Sequence, residues 1–244
     1  MKPTIIAHRG DNHQFPENSL SGIRSAFDQG CTAVEFDIQM TTDEQLIVLH
    51  DDNTLRTSGI EKSVLNAKYS ELSKISVHEP ERLGDTHMPT PISTLSSALS
   101  LLKSYPDTHA YIEVKEESLE KWGHDIVLKK LLLDLATYET QCTIISFDLP
   151  ILDLIKAQSS LNVGWVLYHY DDASLKKAEE SQPDYLIVDY ELLSLDTRPW
   201  AGNWEWMVYG VETADSAFEQ YANGVKYVET DYLSRLLSDE RLKP

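Results

Sequence analysis

Two kinds of segment alternate along almost the whole sequence, and this rhythm most constrains the fold. Short runs with mainly apolar or aromatic cores are separated by longer stretches with helical patterns. The strand-like runs are residues 4–8, 33–40, 110–115, 142–147, 162–168, 185–188, 205–209 and 226–230. Their apolar character is typical of parallel strands that are covered by helices. Repeated β–α units favour a parallel sheet, and eight of them in a chain of 244 residues predict an α/β fold of the (β/α)8 (TIM) barrel type.

The helical patterns fall between the strand-like runs, as a barrel requires. They cover residues 20–29, 95–104, 118–138, 149–158, 173–180 and 214–223. Asn18-Ser19 and Ser118 are candidate N-caps, and Gly30 is a candidate C-terminal cap.

One segment after the second strand interrupts the rhythm. Residues 41–44 have the composition of a turn, and the apolar run 46–50 is predicted to pair back on that strand. The stretch 51–93 is irregular, contains Gly59, Pro80, Gly84, Pro89 and Pro91, and has partial helical character around 65–73. Loops of this length are often functional. Since no repeat or linker is visible, we expect a single domain over residues 1–244 with a modest insertion at about 51–93.

The charge balance restricts the partners of the chain. With 21 Lys and Arg against 40 Asp and Glu, the formal net charge is −19. Nucleic-acid binding requires cationic surface to displace counterions, so we expect no nucleic-acid partner and no docking on anionic membranes. An anionic substrate would need a bound metal ion or a few well-placed cations to overcome the repulsion. The expected partner is a small molecule, and the sequence leaves the oligomeric state open.

The two cysteines and the apolar runs bear on the compartment. Cys31 and Cys142 are too few for a disulfide scaffold and are typical of thiols in a reducing compartment. The apolar run at the N-terminus is too short for a signal peptide, and no stretch approaches the ~20 apolar residues of a membrane span. We therefore expect a cytoplasmic protein without stable membrane insertion.

Acidic side chains occupy strands that are otherwise apolar. Glu35 and Asp37 are two residues apart on the second strand and share one face, as do Glu113 and Lys115 on the third barrel strand. Buried charges of this kind are unfavourable unless they are paired or bind a metal. The three carboxylates can converge on one hard divalent cation, and all-oxygen ligands suit Mg²⁺ or Ca²⁺ better than zinc.

The remaining strand ends add groups that suit phosphate chemistry. Arg9 and Lys115 can hold an anion, while His8 and His50 supply imidazoles, a side-chain type suited to acid–base chemistry near neutral pH. Catalytic groups of a barrel lie at the carboxyl ends of its strands, where these residues are expected. The pattern therefore indicates a metal-assisted phosphate site with two candidate acid–base histidines.

Each of these residues also has a structural interpretation when it is taken alone. His8 and His50 can simply end their strands. Glu35 and Asp37 can form ion pairs with Arg9 and Lys115 without a metal. The functional interpretation gains weight because so many charges occur together at successive strand ends.

Two aromatic residues, Phe147 and Tyr209, lie near strand ends. They can line a substrate groove, although aromatic residues there can equally belong to the core.

Five short motifs follow one another in a specific order. They are Ala7-His8-Arg9-Gly10, Pro16-Glu17-Asn18-Ser19, Glu35-Phe36-Asp37-Ile38, Leu49-His50-Asp51 and Ile112-Glu113-Val114-Lys115. With them the chain resembles the glycerophosphodiester phosphodiesterases of the phospholipase C-like barrel superfamily, from about Ile5 to Leu237. Ser146-Phe147-Asp148 and Thr230-Asp231 give weaker support. The resemblance departs from the family pattern at residues 207–212, where the usual Trp-Thr pattern is replaced.

The resemblance implies a role for each matching residue. It implies that Glu35, Asp37 and Glu113 hold the divalent metal, Mg²⁺ or Ca²⁺. It also implies that His8 and His50 form the acid–base pair and that Arg9 and Lys115 contact the phosphate. Glu17 corresponds to the family's loop glutamate, tied to Arg9 or to the metal shell.

The implied activity is hydrolysis of glycerophosphodiesters to sn-glycerol 3-phosphate and an alcohol such as choline or ethanolamine. Two alternatives stay open, a lysophospholipase D-type phosphodiesterase and a non-catalytic barrel that binds phosphate esters. A binding module has no need of both histidines, which favours the enzyme. The sequence does not distinguish the preferred head group, the native metal or which histidine acts as the base. It also leaves open whether a cyclic intermediate forms or water attacks directly.

Overall fold

A computed structural model describes residues 2–193 and 197–242. Its strands are β1 (Thr4–Ala7), β2 (Ala33–Met40), β3 (Leu46–Val48), β4 (His109–Val114), β5 (Cys142–Ser146), β6 (Asn162–Val166), β7 (Tyr185–Asp189), β8 (Glu205–Tyr209) and β9 (Tyr227–Thr230). Its α-helices are α1 (Leu20–Asp28), α2 (Leu55–Ser58), α3 (Tyr69–Leu72), α4 (Pro80–Leu83), α5 (Leu95–Leu102), α6 (Glu116–Trp122), α7 (His124–Leu135), α8 (Leu149–Gln158), α9 (Asp172–Ser181), α10 (Ala214–Ala222) and α11 (Leu233–Leu237).

The strands close into a parallel barrel. They run in the order β1-β9-β8-β7-β6-β5-β4-β2, and a direct pairing of β1 with β2 closes the ring. Ile6 lies opposite Ala33 at this closure. β3 stands outside the ring and pairs antiparallel with β2, with Ile38 opposite Val48. The predicted (β/α)8 barrel and the predicted return strand are both confirmed.

Apolar side chains fill the inside of the barrel below the carboxyl ends of its strands. The buried members of this inner cluster are Ile6, Ala33, Tyr111, Ile145, Val166, Ile187 and Met207. Tyr111, Tyr185 and Tyr227 add a group of rings in edge-to-face contact, with centroids 5.3 to 6.3 Å apart. A filled barrel of this kind gives the polar residues above it a rigid floor.

The helix predicted over residues 118–138 is wrong in one respect, because it is divided into α6 and α7. Gly123 lies between them with a φ of 81°, a backbone conformation that ends the first helix. Ser118 is not an N-cap, since it lies within α6 and its hydroxyl accepts a hydrogen bond from the backbone N–H of Met40. Ser19 does cap α1, accepting from the backbone N–H of Gly22 at 3.0 Å.

The insertion after β3 has a small core of its own. Its buried side chains pack with those of the return strand, and the cluster comprises Ile47, Leu49, Val64, Ala67, Leu72, Val77 and Ile92. Helix occurs at α2, α3 and α4, so the expected helical character around 65–73 is limited to Tyr69–Leu72. Glu79 anchors the insertion to the loop after β1 by accepting from the backbone N–H of Glu17 at 2.6 Å.

Among the described residues, none of the helices combines the length and the apolarity that a membrane span requires.

Candidate active site

The loop after β1 brings its polar groups to the edge of β2. Arg9 adopts a φ of 53° and Gly10 a φ of 78°, so the chain turns sharply after His8. In this turn the backbone N–H of Arg9 donates to Glu35 Oε2 at 3.0 Å. Asn18 fixes the other end of the loop, because its backbone N–H donates to the Arg9 carbonyl and its side-chain amide donates to Asp37 Oδ2.

Three carboxylates meet where β2 and β4 end. Asp37 lies opposite Glu113 in the pairing of the two strands, and Glu35 precedes Asp37 on the same face. One oxygen from each of the three lies within 4.8 Å of the others. Lys115 Nζ donates to Glu113 Oε1 at 2.8 Å, and Arg9 Nε lies 3.2 Å from Asp37 Oδ2. The structure thus brings the predicted acidic residues and both predicted cations together.

The cluster has the electrostatic signature of a cation site. Burial is the largest cause, and repulsion from the Asp37 carboxylate the second, that raises the pKa values of Glu35 and Glu113 above the ordinary value of a glutamate. Burial opposes ionisation of Asp37 as well, but Arg9 and Lys115 outweigh it and lower the pKa of Asp37. Glu35 Oε1 is buried and has no hydrogen-bond partner among the described residues. An all-oxygen donor set with an unsatisfied buried oxygen fits a hard divalent cation.

His8 is held between carboxylates on both sides of its ring. Nδ1 lies 2.5 Å from Asp231 Oδ1, which also accepts from the Asn12 side chain at 2.6 Å. Nε2 lies 3.8 Å from Glu35 Oε2 and 3.6 Å from Glu229 Oε1. Burial lowers the pKa of His8, but Glu229, Asp231 and Glu35 together overcome this effect and raise the pKa to about 10.

His50 stands in a similar arrangement after the return strand. Its Nδ1 lies 2.7 Å from Asp51 Oδ1, and its carbonyl accepts from the Gln39 side chain at 3.1 Å. Burial opposes ionisation of Asp51, but hydrogen bonds from Arg56 and His50 lower the pKa of Asp51 to about 2. The ring is therefore held by an ionised carboxylate at one nitrogen.

Glu17 lies behind the pocket and links the two loops that carry the histidines. Arg9 Nη1 donates to Glu17 Oε1 at 3.0 Å, so the expected contact between these residues is present. Arg56 donates to Glu17 Oε2 at 2.6 Å and to Asp51 Oδ2 at 2.8 Å. Glu17 thus joins the loop after β1 to the insertion.

One pocket of about 160 Å³ collects these groups at the carboxyl ends of the strands. Its lining residues are His8, Arg9, Glu35, His50, Glu113, Lys115, Ile145, Phe147, Val166, Ile187, Tyr209 and Glu229. Phe147 and Tyr209 lie on its wall, at the ends of β5 and β8. Asp37 lies beneath the pocket, against Arg9 and Lys115.

Sequence reasoning assigned no role to three charged residues of this site. Glu229 faces the pocket from β9, Asp231 holds His8, and Arg56 holds Asp51. The Thr230-Asp231 motif was a signal for Asp231, whereas Arg56 lies in an irregular segment that carries no periodic signal. Glu229 follows two apolar or aromatic residues of its strand, in the same way that Glu35 interrupts β2, and this was an available signal.

The fold and the pocket define a class of protein. It is a (β/α)8 barrel in which one pocket holds the carboxylates Glu35 and Glu113, the cations Arg9 and Lys115, and two histidines that each face a further carboxylate. A family model confirms the resemblance seen in the motifs, because the model of the glycerophosphoryl diester phosphodiesterase family matches residues 8–234. The chain belongs to this family.

Relatives of known name agree with this membership. The chain is 29% identical over 165 residues to a glycerophosphodiester phosphodiesterase of Caldanaerobacter subterraneus subsp. tengcongensis, which covers 67% of this chain and 66% of the relative. It is 28% identical over 182 residues to human glycerophosphodiester phosphodiesterase 1, covering 75% of this chain and 53% of the human protein. The matched regions span about one-half to two-thirds of these relatives' own lengths.

Solved structures show the same fold. An Oleispira antarctica phosphodiesterase in complex with the product sn-glycerol-3-phosphate superimposes with a TM-score of 0.85 at 22% identity, covering 97% of this chain and 96% of the other. A glycerophosphodiester phosphodiesterase from Thermotoga maritima superimposes with a TM-score of 0.71 at 20% identity over 96% of both chains. At these identities the likeness concerns the barrel.

Proposed function

We propose that this protein is a cation-dependent glycerophosphodiester phosphodiesterase. It would hydrolyse diesters such as glycerophosphocholine or glycerophosphoethanolamine to sn-glycerol 3-phosphate and the alcohol. The observation that carries the proposal is the shared pocket, in which Arg9, Lys115 and the buried carboxylates lie beside His8 and His50. Family membership supports the same reaction class, and a phosphodiesterase of the same fold binds sn-glycerol-3-phosphate.

Glu35, Asp37 and Glu113 are the residues that would hold the cation, with Mg²⁺ or Ca²⁺ preferred by their oxygen donors. When bound, a divalent cation supplies positive charge that offsets the negative charge of the phosphate and stabilises the charge that develops on the phosphate oxygens. The unsatisfied oxygen of Glu35 and the repulsion within the cluster both support such an occupant.

Arg9 and Lys115 are proposed to bind the phosphate. Both line the pocket, and both are already oriented by carboxylates, Arg9 by Asp37 and Glu17 and Lys115 by Glu113. Because these cations are preorganised, they can stabilise transition-state charge without further rearrangement.

His8 and His50 are proposed to transfer the protons. Asp231 and Asp51 each accept a hydrogen bond at Nδ1, which leaves Nε2 of both rings free for the substrate. One ring would take the proton of the glycerol 2-hydroxyl as its oxygen bonds to phosphorus, while the other protonates the alcohol oxygen whose bond to phosphorus breaks. The resulting cyclic phosphate would be opened by water with the two roles exchanged. Phe147 and Tyr209 would border the substrate on the pocket wall.

We also propose that residues 1–244 form one catalytic domain and that the protein acts in the cytoplasm. The free, buried thiols of Cys31 and Cys142 support a reducing compartment.

The test is release of sn-glycerol 3-phosphate from glycerophosphocholine by the purified chain. Chelation should abolish the release, and Mg²⁺ or Ca²⁺ should restore it. His8→Ala and His50→Ala should each lower turnover by about 10²–10⁴-fold. His169→Ala is the matched control, because this exposed histidine follows β6 outside the pocket lining. Full activity after exhaustive chelation, or unchanged turnover in either pocket variant, would contradict the proposal.

A further inference from the structure

Glu229 is a buried carboxylate that the proposed reaction does not use. It lies on β9 with 5% of its surface exposed and lines the pocket. Within residues 2–193 and 197–242, its carboxylate accepts no hydrogen bond, and its one ion pair is the 3.6 Å approach to His8 Nε2. Burying a carboxylate without hydrogen bonds is unfavourable, so its presence points to a ligand that satisfies it.

The atoms around Glu229 are spaced like the ligands of a metal ion. His8 Nε2, Glu35 and Glu229 each offer one ligand atom, and the three atoms lie within 4.8 Å of one another. The distances from Nε2 to the two carboxylates, 3.8 and 3.6 Å, are too long for hydrogen bonds. Ligands bound at about 2.0–2.1 Å in a tetrahedral site are separated by about 3.4 Å, which these distances approach.

The far side of His8 carries the support that metal-bound histidines usually have. Asp231 Oδ1 lies 2.5 Å from Nδ1 and is itself fixed by Asn12. A carboxylate in this position accepts the Nδ1 proton, fixes the ring orientation and directs the Nε2 lone pair toward the ion. This arrangement and the lack of a hydrogen bond to the Glu229 carboxylate among the described residues are independent observations that point to the same occupant.

We propose that His8, Glu35 and Glu229 form a transition-metal site, the Glu229 site, which takes Zn²⁺ or a similar divalent ion. It shares Glu35 with the Glu35–Asp37–Glu113 cluster but differs in chemistry. One imidazole with two carboxylates suits Zn²⁺, whereas the all-oxygen cluster suits Mg²⁺ or Ca²⁺.

Occupancy of the Glu229 site has a functional consequence that rests on the proposed function. An ion bound to Nε2 of His8 blocks the nitrogen that the reaction needs for proton transfer. Zn²⁺ should therefore inhibit turnover supported by Mg²⁺.

The binding test is calorimetric titration of the Mg²⁺-saturated protein with Zn²⁺. We compare wild type, Glu229→Gln and Glu212→Gln, the last of which makes the same charge change at an exposed position after β8. Wild type and Glu212→Gln should bind Zn²⁺ at the Glu229 site, and Glu229→Gln should bind it at least about 10-fold more weakly. Equal Zn²⁺ affinity in wild type and Glu229→Gln, with circular dichroism confirming that both are folded, would overturn the proposal.

A second measurement locates the ion and separates this proposal from the proposed function. Anomalous scattering at the zinc edge should place Zn²⁺ about 2.0–2.1 Å from His8 Nε2. An ion bound away from both His8 and Glu229 would overturn the site. Zinc binding is measured without substrate, so failure of the protein to cleave any glycerophosphodiester would refute the proposed function and leave this result standing.

Discussion

Gly10 is the residue whose replacement tests most sharply how the loop after β1 builds the site. An alanine Cβ at this position would lie 2.7 Å from the backbone carbon of Gly22 and 2.7 Å from the backbone nitrogen of Ile23. Real Cβ atoms essentially never approach a neighbour this closely, and both neighbours belong to the rigid backbone of α1. Either the loop or the helix must move, and the loop carries His8 and Arg9.

The magnitude follows from two effects. A side chain at the positive φ of 78° adds strain of about 1–2 kcal/mol. Forcing an extra methyl into packed atoms adds about 1–3 kcal/mol. We expect Gly10→Ala to destabilise the protein by about 3 kcal/mol, which for a chain of this size lowers Tm by about 6–12 °C.

Gly59→Ala is the control for the strain. Gly59 has a φ of 73° and lies in the left-handed region, but the nearest atom to an added Cβ is Pro80 Cγ at 3.9 Å, an ordinary contact distance. The alanine variant therefore adds the backbone strain without a steric clash, and Tm should fall by only about 2–8 °C. Thermal unfolding measures both variants, and turnover of glycerophosphocholine should fall in Gly10→Ala alone. Equal Tm values and equal turnover for the two variants would refute this account of the loop.

Three further predictions address other parts of the molecule. Asp231→Asn removes the carboxylate that holds His8, so kcat should fall about 10- to 100-fold while KM changes little. The control Asp125→Asn makes the same change at an exposed position and should leave kcat unchanged. An unchanged kcat in Asp231→Asn would contradict this positioning role. Arg56→Met removes the bridge between Glu17 and Asp51, and because Arg56 is half exposed we expect a loss of about 1 kcal/mol, seen as a Tm lower by about 2–4 °C; an unchanged Tm would contradict it. Burial lowers the pKa of His109 from 6.5 to about 4, so the unfolded chain binds its proton first and stability is lost as pH falls from 6.5 toward 4. Over that range wild type should lose up to about 3 kcal/mol more than His109→Gln in urea unfolding, and parallel stability curves would refute the assignment.

The barrel could be predicted because each strand has a recognisable pattern in its own local sequence. An apolar run followed by an amphipathic stretch needs no knowledge of distant residues, and β2 and β4 were placed to within a residue of their bounds. The break at Gly123 could not be predicted in the same way, because one glycine in a helical pattern is often tolerated and the local sequence does not show that this residue has a φ of 81°.

The acidic cluster was predictable for a similar reason. Glu35 and Asp37 share a face by strand geometry, and the neighbouring β4 brings Glu113 opposite Asp37. The sequence marks Glu229 and Asp231 at the end of the last strand, but it does not show that they contact His8, because those contacts depend on the register of β9 on β1. The contacts of Arg56 depend on how the insertion folds back toward the barrel. The sequence of the insertion has no regular period, so the direction of the Arg56 side chain cannot be predicted from it.

Crystals grown with Ca²⁺ and examined by anomalous scattering give the most direct test of the central arrangement. We expect one Ca²⁺ at about 2.3–2.6 Å from carboxylate oxygens of Glu35, Asp37 and Glu113 together. A protein that cleaves glycerophosphocholine with Ca²⁺ while its bound ion contacts none of these three residues would contradict the account.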